Sequence, residues 1–503
     1  MISRSANSLR RLVAELLVVR ASGHLSDQQR RYPQWELQNS ELQRLLREGV
    51  GGVILLGGSA VELQQRTQQL QSWSEQRLLV CADVEEGVGQ RFEGASWLVP
   101  PLALGRLHQR EPELALDLSE RYGRCTGEQA RRCGLNWVLG PVCDVNNNHA
   151  NPVINVRAWG EGPNTASALA VAFQRGLKQA GVLGCAKHFP GHGDTTSDSH
   201  LDLPVLPHSR ERLEQIELPP FRAAIAAGVE SVMTAHLVLP ELDPQQPATL
   251  SKAVLTDLLR RQMGFKGLVV TDALVMEAIS ARHGAAEAAV LAFEAGADLI
   301  LMPADPDAAI DGLCDGFSSG RLCLGRLEKS LQRRAHALAS IPTSTASGPI
   351  VSADEQALEA ELVRHSITVG EAKVLPQAGI NLVRVDAMVP SAAALSGWSP
   401  ALRTPEAQGF RSIVLHGEGL LPWSGQADAP LAMDRLGDGA VLLQLFLRGN
   451  PFRAGRDAQE PWAAAIQQLI ALNRLAGVVV YGSPYPWDSL KSLLPSSCPA
   501  AYS

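Results

Sequence analysis

Two hydrophobic rhythms alternate along the first two thirds of the chain. Short unbroken apolar runs rich in Val, Ile and Leu occur at Leu17–Ala21, Gly52–Leu56, Leu78–Asp83, Leu135–Val145, Val182–His188, Ser231–Leu237, Leu268–Asp272 and Asp298–Met302. Between and after them, apolar residues recur every three to four positions in Glu41–Gly49, Ala60–Trp73, Glu113–Cys133, Thr165–Ala180, Arg210–Ala227, Lys252–Met263, Ala285–Ala295 and Arg326–Ala339. The second rhythm predicts amphipathic helices; the first predicts strands covered on both faces, as in a parallel sheet. Eight strand–helix units in succession predict an α/β fold of the (β/α)8 TIM-barrel type. A doubly wound open sheet would alternate in the same way, but no G-x-G-x-x-G follows the first strand.

Near residue 341 the chain turns to Ile-Pro-Thr-Ser-Thr-Ala-Ser-Gly-Pro, a linker composition. The predicted division is a barrel over 1–341, a linker over 342–350 and a smaller C-terminal α/β domain over 351–503. In that domain the strand candidates are Ile380–Val385, Ser412–Leu415, Ala440–Leu445 and Gly477–Tyr481, with a helix near Trp462–Ala476. It carries no chemical motif.

Composition narrows the function class. Of 503 residues, 45% are hydrophobic and 19% charged, which is globular and not disordered. A net charge of −7 with no Lys/Arg run argues against a nucleic-acid partner. No run of 18 apolar residues exists, so no membrane span is expected. The early apolar stretch Leu12–Val19 is interrupted by Glu15 and followed by no small-residue cleavage site, a poor signal peptide. The eight cysteines are scattered without a C-x-x-C pair. Reduced thiols and a cytoplasmic location are the expectation.

Polar residues gather at the ends of the apolar runs: Asp83, Asp144, Lys187, His188, His236 and Asp272. Barrel enzymes carry their chemistry at the C-terminal ends of the strands, and a barrel core has no use for unpaired charge. The segment Lys187-His188-Phe189-Pro190-Gly191-His192-Gly193-Asp194-Thr195-Thr196-Ser197-Asp198-Ser199-His200 runs from a strand into a loop. Within it, Asp198 stands two residues before His200, where a carboxylate can hold an imidazole ring and fix its tautomer. Three His and two Asp also resemble a zinc ligand set, although the spacing is not H-E-x-x-H. Asp272 ends the seventh run; a strand-end Asp also serves as a helix N-cap, and Ala273–Ile279 is a candidate helix. Asp83 with Arg91 suits a hydroxyl-rich ligand, because carboxylate accepts and guanidinium donates; a surface ion pair is the plainer alternative.

Together these segments resemble glycoside hydrolase family 3, in its β-N-acetylglucosaminidase branch. The K-H-F-P-G-H-G-D-T…D-S-H run carries most of the resemblance. Pro141–Asn146 with Asn151–Ile154, Met233–His236 and Val270–Leu274 add to it in the right order. The resemblance implies a retaining glycosidase with Asp272 as nucleophile, His200 as acid/base and Asp198 orienting it. It implies that Asp83, Arg91, Arg157, Lys187 and His188 bind the sugar, with no cofactor and no metal. Most retaining glycosidases use two carboxylates roughly 5–5.5 Å apart; here an imidazole replaces one, and its usual pKa near ~6.5 suits both proton steps. The implied substrate is a terminal non-reducing β-linked GlcNAc, as in peptidoglycan fragments. A family 3 β-glucosidase, a metal-dependent barrel hydrolase and a sugar-binding relative without turnover are the alternatives. One departure stands out: the branch commonly has D-x-E-G-G-R-V-Q-R-F, whereas here Glu86 replaces the first Gly and Val88-Gly89 replaces Arg-Val.

Overall fold

In a computed structural model, the residues described are 6–196, 203–344, 346–371, 374–385, 397–415, 422–448 and 460–503. The chain forms two compact units, 1–362 and 363–503.

The first unit is an α/β domain with eight core strands: β1 Leu17–Ala21, β2 Gly52–Leu55, β3 Leu79–Ala82, β4 Trp137–Val138, β5 Cys185–Phe189, β6 Ser231–Thr234, β7 Leu268–Val270 and β8 Ile300–Leu301. They form a five-stranded sheet in the order β8-β1-β2-β3-β4 and a three-stranded sheet β5-β6-β7, with all pairs parallel. Isolated parallel bridges pair Trp137 with Leu183 and Val142 with Lys187 at one seam, and Val270 with Leu299 at the other. Backbone bonds stitch both seams: Val138 N to Leu183 O at 2.8 Å, and Thr271 N to Leu299 O at 3.1 Å.

Side chains sort by the two-residue period of a strand. Leu17, Val19, Val53, Leu55, Val80, Ala82, Val138, Ala186, Val232, Val269 and Ile300 join one core with the helices. The alternate residues Val18, Ile54, Cys81, Trp137, Cys185, Met233, Val270 and Leu301 join a second buried cluster, with a member from each of the eight strands. Burial on both faces explains why these strands are short, unbroken apolar runs.

Most helices lie where the periodicity predicts them, and three differences have local causes. The helix predicted over Arg210–Ala227 is two, Arg210–Gln215 and Pro219–Ala226, because Pro219 and Pro220 bring no N–H to a helix interior and instead open a new first turn. The helix after β7 begins at Glu277, with Met276 as its N-cap, so Asp272 is not the N-cap that a helix starting at Ala273 would require. The segment predicted as a linker is fastened to the first unit by Arg132, which donates to Pro349 O (2.9 Å) and Ile350 O (2.8 Å) and pairs with Glu355 at 2.6 Å. Leu358 and Leu362 of the helix Ala353–Ser366 then enter the first core, which carries the compact unit past 341 to Leu362.

Among the described residues the second unit has six strands: β9 Thr368–Val369, β10 Gly379–Arg384, β11 Phe410–Leu415, β12 Val441–Leu447, β13 Leu475–Gly482 and β14 Ala500–Tyr502. Their order is β9-β14-β13-β12-β10-β11, parallel except for β9–β14. The helix predicted as Trp462–Ala476 stops at Ala471, because Leu475 is already in β13.

At the N-terminal ends of the strands, Asp298 is sealed from solvent and accepts from Arg260, from Arg326 Nη1 (2.8 Å), from Arg333 Nη1 (3.0 Å), from Ser330 Oγ (2.7 Å) and from Val269 N (3.0 Å). Burial raises the cost of its charge, but the three guanidinium groups leave its carboxyl below the usual range. Removing one member of such a buried group leaves the others uncompensated. Asp298→Ala is expected to lower stability by about 3–5 kcal/mol in urea unfolding.

Candidate active site

The two-residue period carries on past the ends of β3 and β7 and along β5. Cys81 leads to Asp83, Cys185 to Lys187, and Val270 to Asp272. Each polar residue therefore follows the inward series of its strand, which places the three at one end of the second buried cluster. The Cys185 thiol registers this convergence. Burial pushes it up to about 12, and the charges that act on it include Lys187, Asp83 and Asp272.

Lys187 is 1% exposed, and its ammonium lies 2.6 Å from Asp83 Oδ1 and 2.5 Å from Glu85 Oε1. Arg157 closes a bidentate pair on the buried Glu85, Nε to Oε2 and Nη2 to Oε1, both 2.8 Å. Burial alone would raise the Glu85 carboxyl, yet Arg157 and then Lys187 hold it well below the usual carboxylate range. Burial disfavours the Lys187 ammonium, yet Asp83 and Glu85 leave it above the ordinary lysine value. Both groups stay charged at neutral pH. Glu85 is a site residue that the motif reading passed over. Its signal was the spacing D-x-E, since positions i and i+2 share a face in extended chain.

His188 is held by Asp144, which is itself sealed from solvent. Asp144 takes the His188 ring at Nδ1 (2.7 Å) and the backbone N–H groups of His188 (3.2 Å) and His192 (2.7 Å). Burial penalises the Asp144 carboxylate, but His188 leaves it below its ordinary value. Arg157 Nη2 lies 3.5 Å from His188 Nε2. A guanidinium can only donate, so Nε2 accepts and the ring proton sits on Nδ1, toward Asp144. Arg91 stands on the same side but donates to the backbone carbonyl of Asp83 (3.2 Å), not to its carboxylate.

Asp272 is half-buried at a turn fixed by a directed chain of hydrogen bonds. Its N–H lies 3.2 Å from Thr234 Oγ1, which is 2.7 Å from Thr249 Oγ1. Thr249 Oγ1 is 2.8 Å from His236 Nδ1, and His236 Nε2 is 3.1 Å from Ala273 O. A carbonyl only accepts, so His236 donates from Nε2 to Ala273 O, while the Thr249 hydroxyl reaches both His236 Nδ1 and the Ala235 carbonyl (3.0 Å). Asp272 Oδ1 itself accepts from Ala273 N at 2.7 Å.

The loop after β5 is braced up to residue 195. Asn151 Nδ2 donates to His192 O (2.8 Å) and Gly193 O (2.9 Å). Gly193 packs so closely on the Val145 backbone that a Cβ would collide with the Val145 carbonyl. Asp194 Oδ2 meets His208 Nε2 (2.9 Å) and Arg212 Nη2 (3.1 Å), and Arg212 also reaches Glu217 Oε1 at 3.3 Å. Asp198 and His200 lie outside the described residues. Among the described residues no group of three or more His, Cys, Asp or Glu could hold a metal ion.

The chain is similar to known proteins over both of its units. Residues 8–337 match the family model for the glycosyl hydrolase family 3 N-terminal domain, and residues 374–503 match the one for the bacterial family 3 C-terminal domain. A β-hexosaminidase of Neisseria meningitidis serogroup C is 36% identical over 288 residues, 56% of this chain and 79% of that protein. A solved family 3 β-N-acetylglucosaminidase from Paenibacillus sp. superposes with TM-score 0.78 at 28% identity, covering 98% of this chain and 93% of that one. NagZ from Neisseria gonorrhoeae, solved in complex with N-trifluoroacetyl-D-glucosamine, is 30% identical with TM-score 0.57, covering 70% of this chain and 98% of that one.

The brace under the loop makes a pH-dependent prediction. Burial pushes the Glu217 carboxyl up to about 7, against the pull of Arg212. A raised carboxyl contributes stability that is intact below its unfolded value near 4.5 and is lost as pH rises through about 7. Glu217→Gln, which removes the buried charge, is therefore expected to raise Tm by a few degrees at pH 8 and to have no such effect at pH 4 in paired thermal melts. The inward carboxylates and cations, together with the matches over both parts of the chain, place it in glycoside hydrolase family 3, and it is a glycosidase.

Proposed function

We propose that the chain is a retaining β-N-acetylglucosaminidase that removes a terminal non-reducing β-linked GlcNAc, with Asp272 as nucleophile and His200 as acid/base oriented by Asp198. The observation that carries the proposal is the inward succession of Asp83, Lys187 and Asp272 above one buried cluster. The two stitched seams between the sheets support a closed eight-stranded (β/α)8 barrel, with this cluster as its interior. The hexosaminidase and N-acetylglucosaminidase relatives support the choice of sugar.

In this mechanism Asp272 attacks the anomeric carbon as His200 gives its proton to the departing oxygen, and the bond to the aglycone breaks. The covalent glycosyl-enzyme is then released by water, whose proton returns to His200. Asp83 and Lys187 offer an acceptor and a donor to the sugar hydroxyls, while Glu85 and Arg157 hold that pair in register. Arg91 and His188 complete the sugar-binding set. The physiological substrate is a GlcNAc-bearing peptidoglycan fragment met in the cytoplasm, a reading supported by the scattered, free cysteines.

The test pairs an aryl β-N-acetylglucosaminide with the matching β-glucoside. Wild-type protein is expected to prefer the N-acetyl substrate, and Asp272→Ala to abolish turnover. His200→Ala is expected to lower kcat by roughly 10²–10⁴-fold with a poor alkyl leaving group. A 2,4-dinitrophenyl leaving group departs without a proton and is expected to be far less affected. Preference for the glucoside would overturn the substrate, and equal loss on both leaving groups would overturn the acid/base role.

A further inference from the structure

The loop after β3 contains a device that the sugar-binding residues do not use. Trp97 is 45% exposed, an unusual setting for a large aromatic ring, yet its orientation is fixed: Nε1 donates to Glu86 Oε2 at 3.0 Å. Glu86 is sealed from solvent. Its carbonyl accepts from Leu98 N at 2.8 Å, and Gly89 N donates to Ser96 O at 2.7 Å, so the two arms of the loop are laddered together. Trp97 therefore lies across the ladder from Glu86. One residue before Glu86, Glu85 holds Lys187 and Arg157. Gly89 makes this approach possible, because a Cβ there would lie 2.6 Å from Trp97 N and would run into the Ala95 carbonyl.

Glu86 and Gly89 are also two of the positions where the loop departs from D-x-E-G-G-R-V-Q-R-F. Both departures act on one side chain. Glu86 supplies the acceptor that orients the indole, and Gly89 supplies the space that lets the Trp97 backbone lie close. A buried acidic side chain that orients an exposed indole, on the same loop as Asp83, Glu85 and Arg91, is an arrangement for contact with a ligand face and not for packing.

We propose that Trp97 is the platform for the sugar residue next to the terminal GlcNAc, stacking on that ring's apolar face, with Glu86 as its positioning residue. The inference rests on the proposed glycosidase activity and adds the aglycone to it: a carbohydrate ring in place of a small alcohol. A ring face on a large aromatic side chain contributes affinity without a directional bond, so the contact selects for the presence of a second ring.

Steady-state kinetics on two substrates test it: di-N-acetylchitobiose, which has a second ring, and methyl β-N-acetylglucosaminide, which has none. Trp97→Ala is expected to raise KM for the disaccharide about tenfold, the scale of a buried aromatic contact, and to change the methyl glycoside less than twofold. Trp97→Phe keeps a platform without the N–H and is expected to fall between wild type and Trp97→Ala. Glu86→Gln keeps an acceptor and is expected to restore most of what Glu86→Ala loses on the disaccharide. Equal change on both substrates, or none on either, with active wild-type protein would overturn the role of Trp97 alone. No turnover of either substrate by wild-type protein would overturn the activity itself and this reading with it.

Discussion

Lys187 imposes the constraint on which the rest of the site depends. An ammonium with almost no access to water is tolerable only where carboxylates neutralise it, and here two do so within ordinary ion-pair distance. The second of them, Glu85, is buried too and needs its own partner, which Arg157 supplies through a two-point contact. Arg157 in turn borders His188, whose ring is turned by the sealed Asp144. Each charge is thus partnered by the next, and the half-buried Asp83 is the carboxylate of the Lys187 pair that reaches solvent. A cluster of mutually paired donors and acceptors of this kind suits recognition of hydroxyl groups, because their positions are set before a ligand arrives.

The fold makes that cluster inexpensive to assemble. Parallel strands bring their C-terminal ends together, and the two-residue period decides which side chains follow the inner face. Asp83, Lys187 and Asp272 come from strands far apart in sequence, yet each stands two residues beyond a buried inward residue. Hydrogen bonds through Thr234, Thr249 and His236 set the Asp272 turn.

Much of this was legible in the sequence, for stated reasons. Strands buried on both faces show as unbroken apolar runs, so β1 to β8 were visible, and a charged residue closing such a run has no packing purpose. Tertiary partnership was harder to see. Glu85 acquires its importance from Arg157, 72 residues away, and Asp144 from His188, 44 residues away. Neither reading of Asp83 with Arg91, as a pair for a hydroxyl-rich ligand or as a surface ion pair, revealed the bond from Arg91 Nε to the Asp83 carbonyl. The run Arg210–Ala227 concealed a helix break, since periodicity continued across Pro219 while the backbone hydrogen bonds did not. In the second unit the edge strand β9 and its neighbour β14 escape the pattern because their exposed and half-buried residues lack the apolar signature of the inner strands.

The central claim is that Asp272 forms a covalent bond to the sugar. Its most direct test is to trap that species with a 5-fluoro N-acetylglucosaminyl fluoride, digest the protein and sequence the labelled peptide by tandem mass spectrometry. The account predicts one glycosyl adduct, on the peptide containing Thr271-Asp272-Ala273 and localised to Asp272. A label on any other residue, or turnover of the reagent with inversion at the anomeric carbon and no adduct, would contradict it.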